Sequence, residues 1–281
     1  MPVSLHNTGK ASFDDIYERA DPSDYYRRMS ELDYCIPDVA KPHFRRLIDD
    51  YRTATGVAPT VLDLGCSYGV NAAVLRLDTT VGALAEHYRC GDTAARADRD
   101  RAWLAAADSM PDVRFLGMDA SGPALGYAAS TGLLAGIVHA DLETAAPTES
   151  QRRILAGADL VISTGCVGYI TERTLARVAA ADGHRLPWMA HFVLRMFDFA
   201  PIELCLRQLG YRTERLPGTF RQRRFASEAE QAQIVSTLSA NGIDPSGHEA
   251  DGWLHAELFV SVPISTPTPT PTPTPTAEDR Q

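Results

Sequence analysis

The chain has 281 residues, 44% hydrophobic and 22% charged, enough for one sizeable α/β core or two small domains, and one domain with insertions is the favoured reading. A net charge of −9 and a pI near 5.4 exclude a long groove for nucleic acid, and no apolar stretch approaches the roughly 20 residues that cross a bilayer. The five cysteines at 35, 66, 90, 166 and 205 are odd in number and form no Cys-x-x-Cys pair, which excludes a disulfide framework or zinc site and fits a reducing compartment.

The amino terminus, MPVSLHNTGKASFDD, lacks the apolar core of a secretory signal, so a soluble cytoplasmic protein is expected. From Asp14 to Tyr51 runs a helical prelude punctuated at Pro22, Pro37 and Pro42. Asp21 or Ser23 caps its segment Tyr25 to Leu32. The tyrosines 17, 25, 26 and 34 of this prelude either pack on the core or roof a ligand site.

Thr60 to Leu64 is short, branched and apolar apart from Asp63, as a buried parallel strand is. Gly65 and Gly69 then permit a tight turn, and Val70 to Leu77 has helical composition. A strand, glycine turn and helix place that turn outside the carboxyl end of the strand, where open α/β sheets bind ligands. The block from Asp78 to Pro111 carries apolar residues at helical spacing, including Val81, Leu84 and Ala85, then Trp103, Leu104 and Ala107. It reads as a helical insertion, either a packing embellishment or a lid.

Further strands are expected at Arg114 to Met118, Ala135 to His139, Leu160 to Ser163, Met189 to Arg195, Tyr211 to Leu216 and His255 to Val262. They alternate with helical stretches, which predicts a Rossmann-like, seven-stranded, mostly parallel sheet with helices on both faces. The helix Glu228 to Ala240 is closed by Asn241-Gly242. No crossover helix follows the final strand, so it is expected to be antiparallel and inserted beside the fifth. Arg221, Arg223 and Arg224 read as a solvated strand edge or a structural ion-pair cluster. From Thr266 to Thr276 the chain repeats Thr-Pro, an extended, solvated tail. The expected divisions are therefore a helical segment or lid at 1–55, a ligand-binding domain at 56–263 with its insertion at 78–111, and a tail at 264–281.

Four stretches in this order resemble the class I S-adenosylmethionine-dependent methyltransferases. VLDLGCSYG is similar to that family's glycine motif, with Asp63, Gly65 and Gly69 in place, Cys66 between them and Ser67 at the middle glycine. FLGMDASGPALGYA resembles the end of the second strand, which implies that Asp119, followed by Ala120, bonds the ribose hydroxyls. VHADLET offers Asp141 and Leu142 where the family contacts adenine. ADLVISTGCVGYI resembles the segment after the fourth strand that lines cofactor and acceptor, here with Ser163 and Thr164. The resemblance covers roughly Thr60 to Pro263 and implies S-adenosylmethionine as cofactor, with three separated carboxylates converging on one adenosyl group. A nicotinamide fingerprint fits less well, since it wants glycine at 67 and 70 and an acidic residue about 20 residues after the glycines.

The implied reaction is direct displacement, which needs alignment and exclusion of water and no universal catalytic residue. Acceptor-pocket candidates are Tyr26, Cys166, Tyr169, His184, Arg195 and Asp198. Cys166 reads as a small packing residue rather than a nucleophile. Arg195 either pairs with a substrate carboxylate or bridges Asp198 or Glu203. His184 is the better-placed titratable group, because His191 and His255 fall within strands and read as core histidines. No histidine pair has ligand spacing, so no metal is expected. The aromatic residues favour an aromatic or cationic small-molecule acceptor, and oligomeric state is left open. The rival reading is a protein that binds the same cofactor in a non-methylating or noncatalytic role.

Overall fold

The computed structural model describes residues 14–89 and 95–264. The Thr-Pro repeats and the first 13 residues lie outside them. The chain opens with helices α1 (Asp14–Tyr17), α2 (Ser23–Glu31) and α3 (Ile36–Thr55), then strand β1 (Thr60–Leu64) and helix α4 (Val70–Arg76). The helices α5 (Val81–Arg89) and α6 (Arg96–Ala107) precede β2 (Arg114–Asp119), α7 (Gly122–Ser130), β3 (Gly136–His139), α8 (Glu149–Leu155) and β4 (Leu160–Thr164). Then come α9 (Glu172–Ala179), β5 (Trp188–Leu194), α10 (Ala200–Gln208), β6 (Tyr211–Arg215), β7 (Phe220–Arg224), α11 (Glu228–Ala240) and β8 (Trp253–Pro263).

These eight strands form one sheet in the order β3-β2-β1-β4-β5-β8-β6, with β7 also paired to β8. The first five are mutually parallel. Strand β8 runs antiparallel to β5 and lies beside it, the mostly parallel, Rossmann-like arrangement read from the strand sequence. The order reverses between β1 and β4, and this switch point opens a crevice at the carboxyl ends of the strands.

Alternation along β1 divides the core. Leu62 and Leu64 belong to one buried cluster with Leu116, Val161 and Leu175, whereas Val61 joins the opposite face with Phe44, Ile48 and Phe192. Asp63 shares the parity of Val61 and is fully buried. Helix α3 covers that second face with its periodic residues Ile36, Ala40, Phe44, Leu47, Ile48 and Tyr51. A third cluster joins α2 to the block that follows α4: Tyr25, Tyr26 and Met29 pack with Val81, Leu84, Tyr88 and Leu104. Buried at its centre, Asp100 accepts hydrogen bonds from Tyr88 (2.6 Å) and Tyr127 (2.5 Å), and His87 Nε2 lies 2.7 Å from its other oxygen.

One strand differs from the sequence reading. Phe220–Arg224 is a strand of its own, β7, which pairs with the first residues of β8. Those residues extend past the carboxyl end of β5, since Leu194 already pairs with Ala256. Strand β7 therefore reaches the same rim as the ends of β1, β2 and β4. Its arginines are engaged in the fold: Arg223 pairs with Glu230, Arg224 pairs with Asp33, and the Arg221 and Arg224 guanidinium groups each lie within 5 Å of the Trp253 ring, at 4.9 and 4.7 Å. Helix α11 ends as read, with Asn241 at its carboxyl cap and Gly242 at φ +72°. No described helix is long and apolar enough to cross a membrane.

Candidate functional site

At the carboxyl rim lies a cavity of ≈ 580 Å³, lined by residues from four strand ends and from the amino-terminal helices. Its floor is the turn after β1. Gly65 adopts φ +66°, and a Cβ there would stand 2.6 Å from Cys166 Cβ, so only glycine lets the β1 and β4 loops meet. The amide of Ser67, itself at φ +51°, donates to Asp119 Oδ2 at 2.8 Å.

The Asp119 carboxylate ties two loops together, because Ser121 N donates to its Oδ1 at 2.9 Å. Burial raises its pKa, and the bonds from Ser121, Ser67 and Ala120 oppose that shift. Asp119 lines the cavity with lone pairs to spare for a ligand's hydroxyls. Asp141 and Leu142 enter from the loop after β3. The Asp141 carboxylate shapes this turn, accepting from Glu143 N (2.9 Å) and Thr144 Oγ1 (3.0 Å).

Asp63 sits beneath the floor rather than among the lining residues. Its Oδ1 accepts from Asn71 Nδ2 at 2.9 Å, while Oδ2 has no hydrogen-bond partner among the described residues. Burial, countered by the Asn71 bond and reinforced by Asp119, pushes its pKa up to about 8. Asn71 also donates to Thr164 Oγ1 at 3.1 Å, and both line the cavity. Two of the three expected carboxylates thus reach the cavity wall, and the third connects through Asn71.

The cavity takes in Gly65, Cys66, Ser67, Asp119, Ala120, Asp141, Leu142, Thr164, Cys166 and Tyr169 of the residues singled out from sequence. Besides Asp63, it leaves out six others. Gly69, at φ +74°, starts α4 and backs onto Ala128. Ser163 is buried, with its hydroxyl 2.8 Å from His191 Nδ1. Tyr26 is buried elsewhere, stacked on Tyr88 with ring centroids 4.7 Å apart. His184 stands in the turn before β5, whose first residue pairs with the first residue of β4, so it belongs to the opposite rim. Arg195 turns away to Glu249 Oε2 at 2.6 Å and the Asp244 carbonyl at 2.9 Å. Asp198 is an exposed cap, accepting from Ala200 N at 2.9 Å.

Sequence reasoning assigned no site role to Asn71, Glu143, Gln222 or Arg223, all of which line the cavity. The last two arrive on β7. Above the floor, Tyr17, Tyr25 and Tyr34 form the roof. Burial pushes the Tyr34 phenol up to about 12, against hydrogen bonds with Thr164 and Tyr25. Burial also raises Tyr17, reinforced by Tyr34, Asp119 and Tyr169. The roof is fastened to the floor: Tyr68 OH donates to the Ile16 carbonyl at 2.8 Å, and Ser121 Oγ donates to the Tyr17 carbonyl at 2.7 Å.

No family model and no curated protein matches the sequence. Among solved structures, the chain is similar to the plantazolicin methyltransferase BamL in complex with a desmethylPZN analog and S-adenosylhomocysteine, at 10% identity and TM-score 0.43 over 88% of this chain and 95% of that one. It is also similar to magnesium protoporphyrin IX methyltransferase from Synechocystis PCC 6803 with bound S-adenosylmethionine, at 11% identity and TM-score 0.42 over 93% and 99%. A precorrin-6y C5,15-methyltransferase from Geobacter metallireducens GS-15 gives 12% identity and TM-score 0.35 over 73% and 80%. Likeness at this level carries no argument about chemistry, which rests on the cavity itself.

Proposed function

We propose that this protein is a class I S-adenosylmethionine-dependent methyltransferase that passes a methyl group to a small-molecule acceptor by direct displacement. The observation that supports this most is the meeting, in one cavity, of the Gly65–Ser67 turn, Asp119 and Asp141 from the ends of three adjacent parallel strands. The residues present fit the cofactor. Asp119 offers a carboxylate to two ribose hydroxyls, Asp141 and Leu142 stand where an adenine edge is read, and the small residues 65 to 67 leave the backbone open to the methionine portion.

Bound there, S-adenosylmethionine would supply a methyl group on a positively charged sulfur, with a neutral thioether as its leaving group. The chain's own contribution is alignment and exclusion of water. Tyr17, Tyr25 and Tyr34 close the roof over Thr164, the last residue of β4, and Cys166 just after it. In this reading the segment up to residue 55 precedes a domain spanning 56–263 and supplies its lid from residues 14–35, while α3 packs on the sheet. Among the described residues no cluster of metal-binding side chains occurs.

Titration calorimetry with S-adenosylhomocysteine tests the assignment. The wild-type protein should bind it, and Asp119→Asn, which keeps the shape but removes the charge, should bind about 10- to 100-fold more weakly. Equal affinity in the two proteins would remove the ribose role from Asp119. Labelled-methyl transfer to acceptor mixtures separates an enzyme from a binding protein.

A further inference from the structure

Resting on the proposed cofactor site, we infer that the remaining part of the cavity is an amine subsite, and that Gln222 is the residue that recognises the amine. Gln222 is 3% exposed and lines the cavity, yet its Oε1 has no hydrogen-bond partner among the described residues. A buried carbonyl without a donor is costly. The Gln222 Nε2 lies against Gly165, at φ +88°, where any Cβ would overlap the carboxamide. Rotation about the terminal torsion, which is soft and roughly two-fold, exchanges Oε1 and Nε2 across this face. An N–H that reaches this carboxamide, beside the segment after β4, supplies the partner its oxygen lacks.

The surrounding charge selects which donor enters. Glu18, Asp119, Asp141 and Glu143 all line the cavity, and Arg223 is its one cationic side chain among the described residues. That guanidinium is held by Glu230 through two bonds, at 2.7 and 3.0 Å, and donates to the Arg224 carbonyl at 2.8 Å. An anionic acceptor would meet four carboxylates and no cation free of its own carboxylate, whereas an ammonium is drawn toward the exposed Glu18 and Asp141 at the rim.

Base chemistry points the same way. Among the described residues no histidine or lysine lines the cavity, the Asp141 and Glu143 carboxylates already accept from nearby backbone and hydroxyl groups, and burial holds the phenols of Tyr17, Tyr25 and Tyr34 protonated. A phenol or alcohol acceptor needs a positioned base. An amine does not. Beneath the tyrosine roof desolvation favours its neutral form, and its proton passes to water at the rim. The nitrogen lone pair then forms the bond to carbon as the carbon–sulfur pair returns to sulfur, and the methylated ammonium releases its proton to solvent.

The test measures binding to the full chain saturated with S-adenosylhomocysteine, using 2-phenylethylamine, 4-ethylphenol and phenylacetate as probes in calorimetry. The amine should bind about tenfold or more tighter than the phenol, with phenylacetate weakest. Gln222→Leu should lose that amine preference while keeping its S-adenosylhomocysteine affinity, and Gln222→Glu should retain or strengthen it. Equal binding of the three probes, no binding of the amine, or an unchanged preference in Gln222→Leu would overturn the subsite. Failure of the wild-type protein to bind S-adenosylhomocysteine would instead overturn the cofactor reading on which it rests.

Discussion

Asp63 shows how one buried side chain sets a pH dependence. Its pKa rises from the ordinary 3.8 to about 8 in the folded protein, chiefly by burial. Between these values the folded state keeps a proton that the unfolded chain has released, so the free energy of unfolding falls as pH rises through this window. Asp63→Asn carries no such proton and should lose less stability between about pH 5 and about pH 8. Urea denaturation of both proteins at the two pH values measures the difference, and equal losses would mean that Asp63 is ionised throughout. Neighbouring residues can likewise have separate fates. Tyr25 and Tyr26 are adjacent on α2, where successive side chains point about 100° apart; Tyr25 lines the cavity, while Tyr26 stacks on Tyr88.

Among the elements, β7 had the least legible sequence, yet it brings Gln222 and Arg223 to the cavity wall. β1, β2 and β4 were readable because an apolar run ends in glycine or aspartate at the right phase, so Gly65, Asp119 and Thr164 could be placed from sequence. FRQRR carries no such pattern. The burial of Gln222 and Arg223 comes from Gly165 and β8, far away in the chain, and from Glu230 on the helix that follows, none of which the periodicity of β7 itself reveals. The same distance explains Arg195, whose partner is Glu249 rather than its neighbours Asp198 or Glu203. Burial of the Arg223–Glu230 pair, with the two side chains 4% and 0% exposed, makes it sensitive to removal of one member. Glu230→Ala should cost about 3–5 kcal/mol, because a buried guanidinium is left uncompensated, and Glu230→Gln should cost less; chemical denaturation reads both. A loss below about 1 kcal/mol would place the pair in solvent-like surroundings.

Across the whole molecule, the amino-terminal helices and the sheet rim are joined by a few specific bonds, from Tyr68 and Ser121 to the backbone of residues 16, 17 and 19. A ligand in the cavity touches both sides of this seam. Hydrogen exchange should therefore slow at residues 14–35 together with residues 65–71 when S-adenosylhomocysteine is added, with about 2.7 kcal/mol of added global stability at a hundredfold excess over Kd. Slowing confined to residues 65–71 would show that the helices do not close on the ligand.

Strand β8 has a consequence for how the protein is made. Among the described residues it is the only strand holding β7 in the sheet, and Trp253 to Ala256 supply the pairing. While the ribosome is still making residues before these, the nascent chain already has its glycine turn and Asp119 but has no far wall. Ligand competence thus arrives late and abruptly in synthesis, when one stretch near residue 255 threads between β5 and β7.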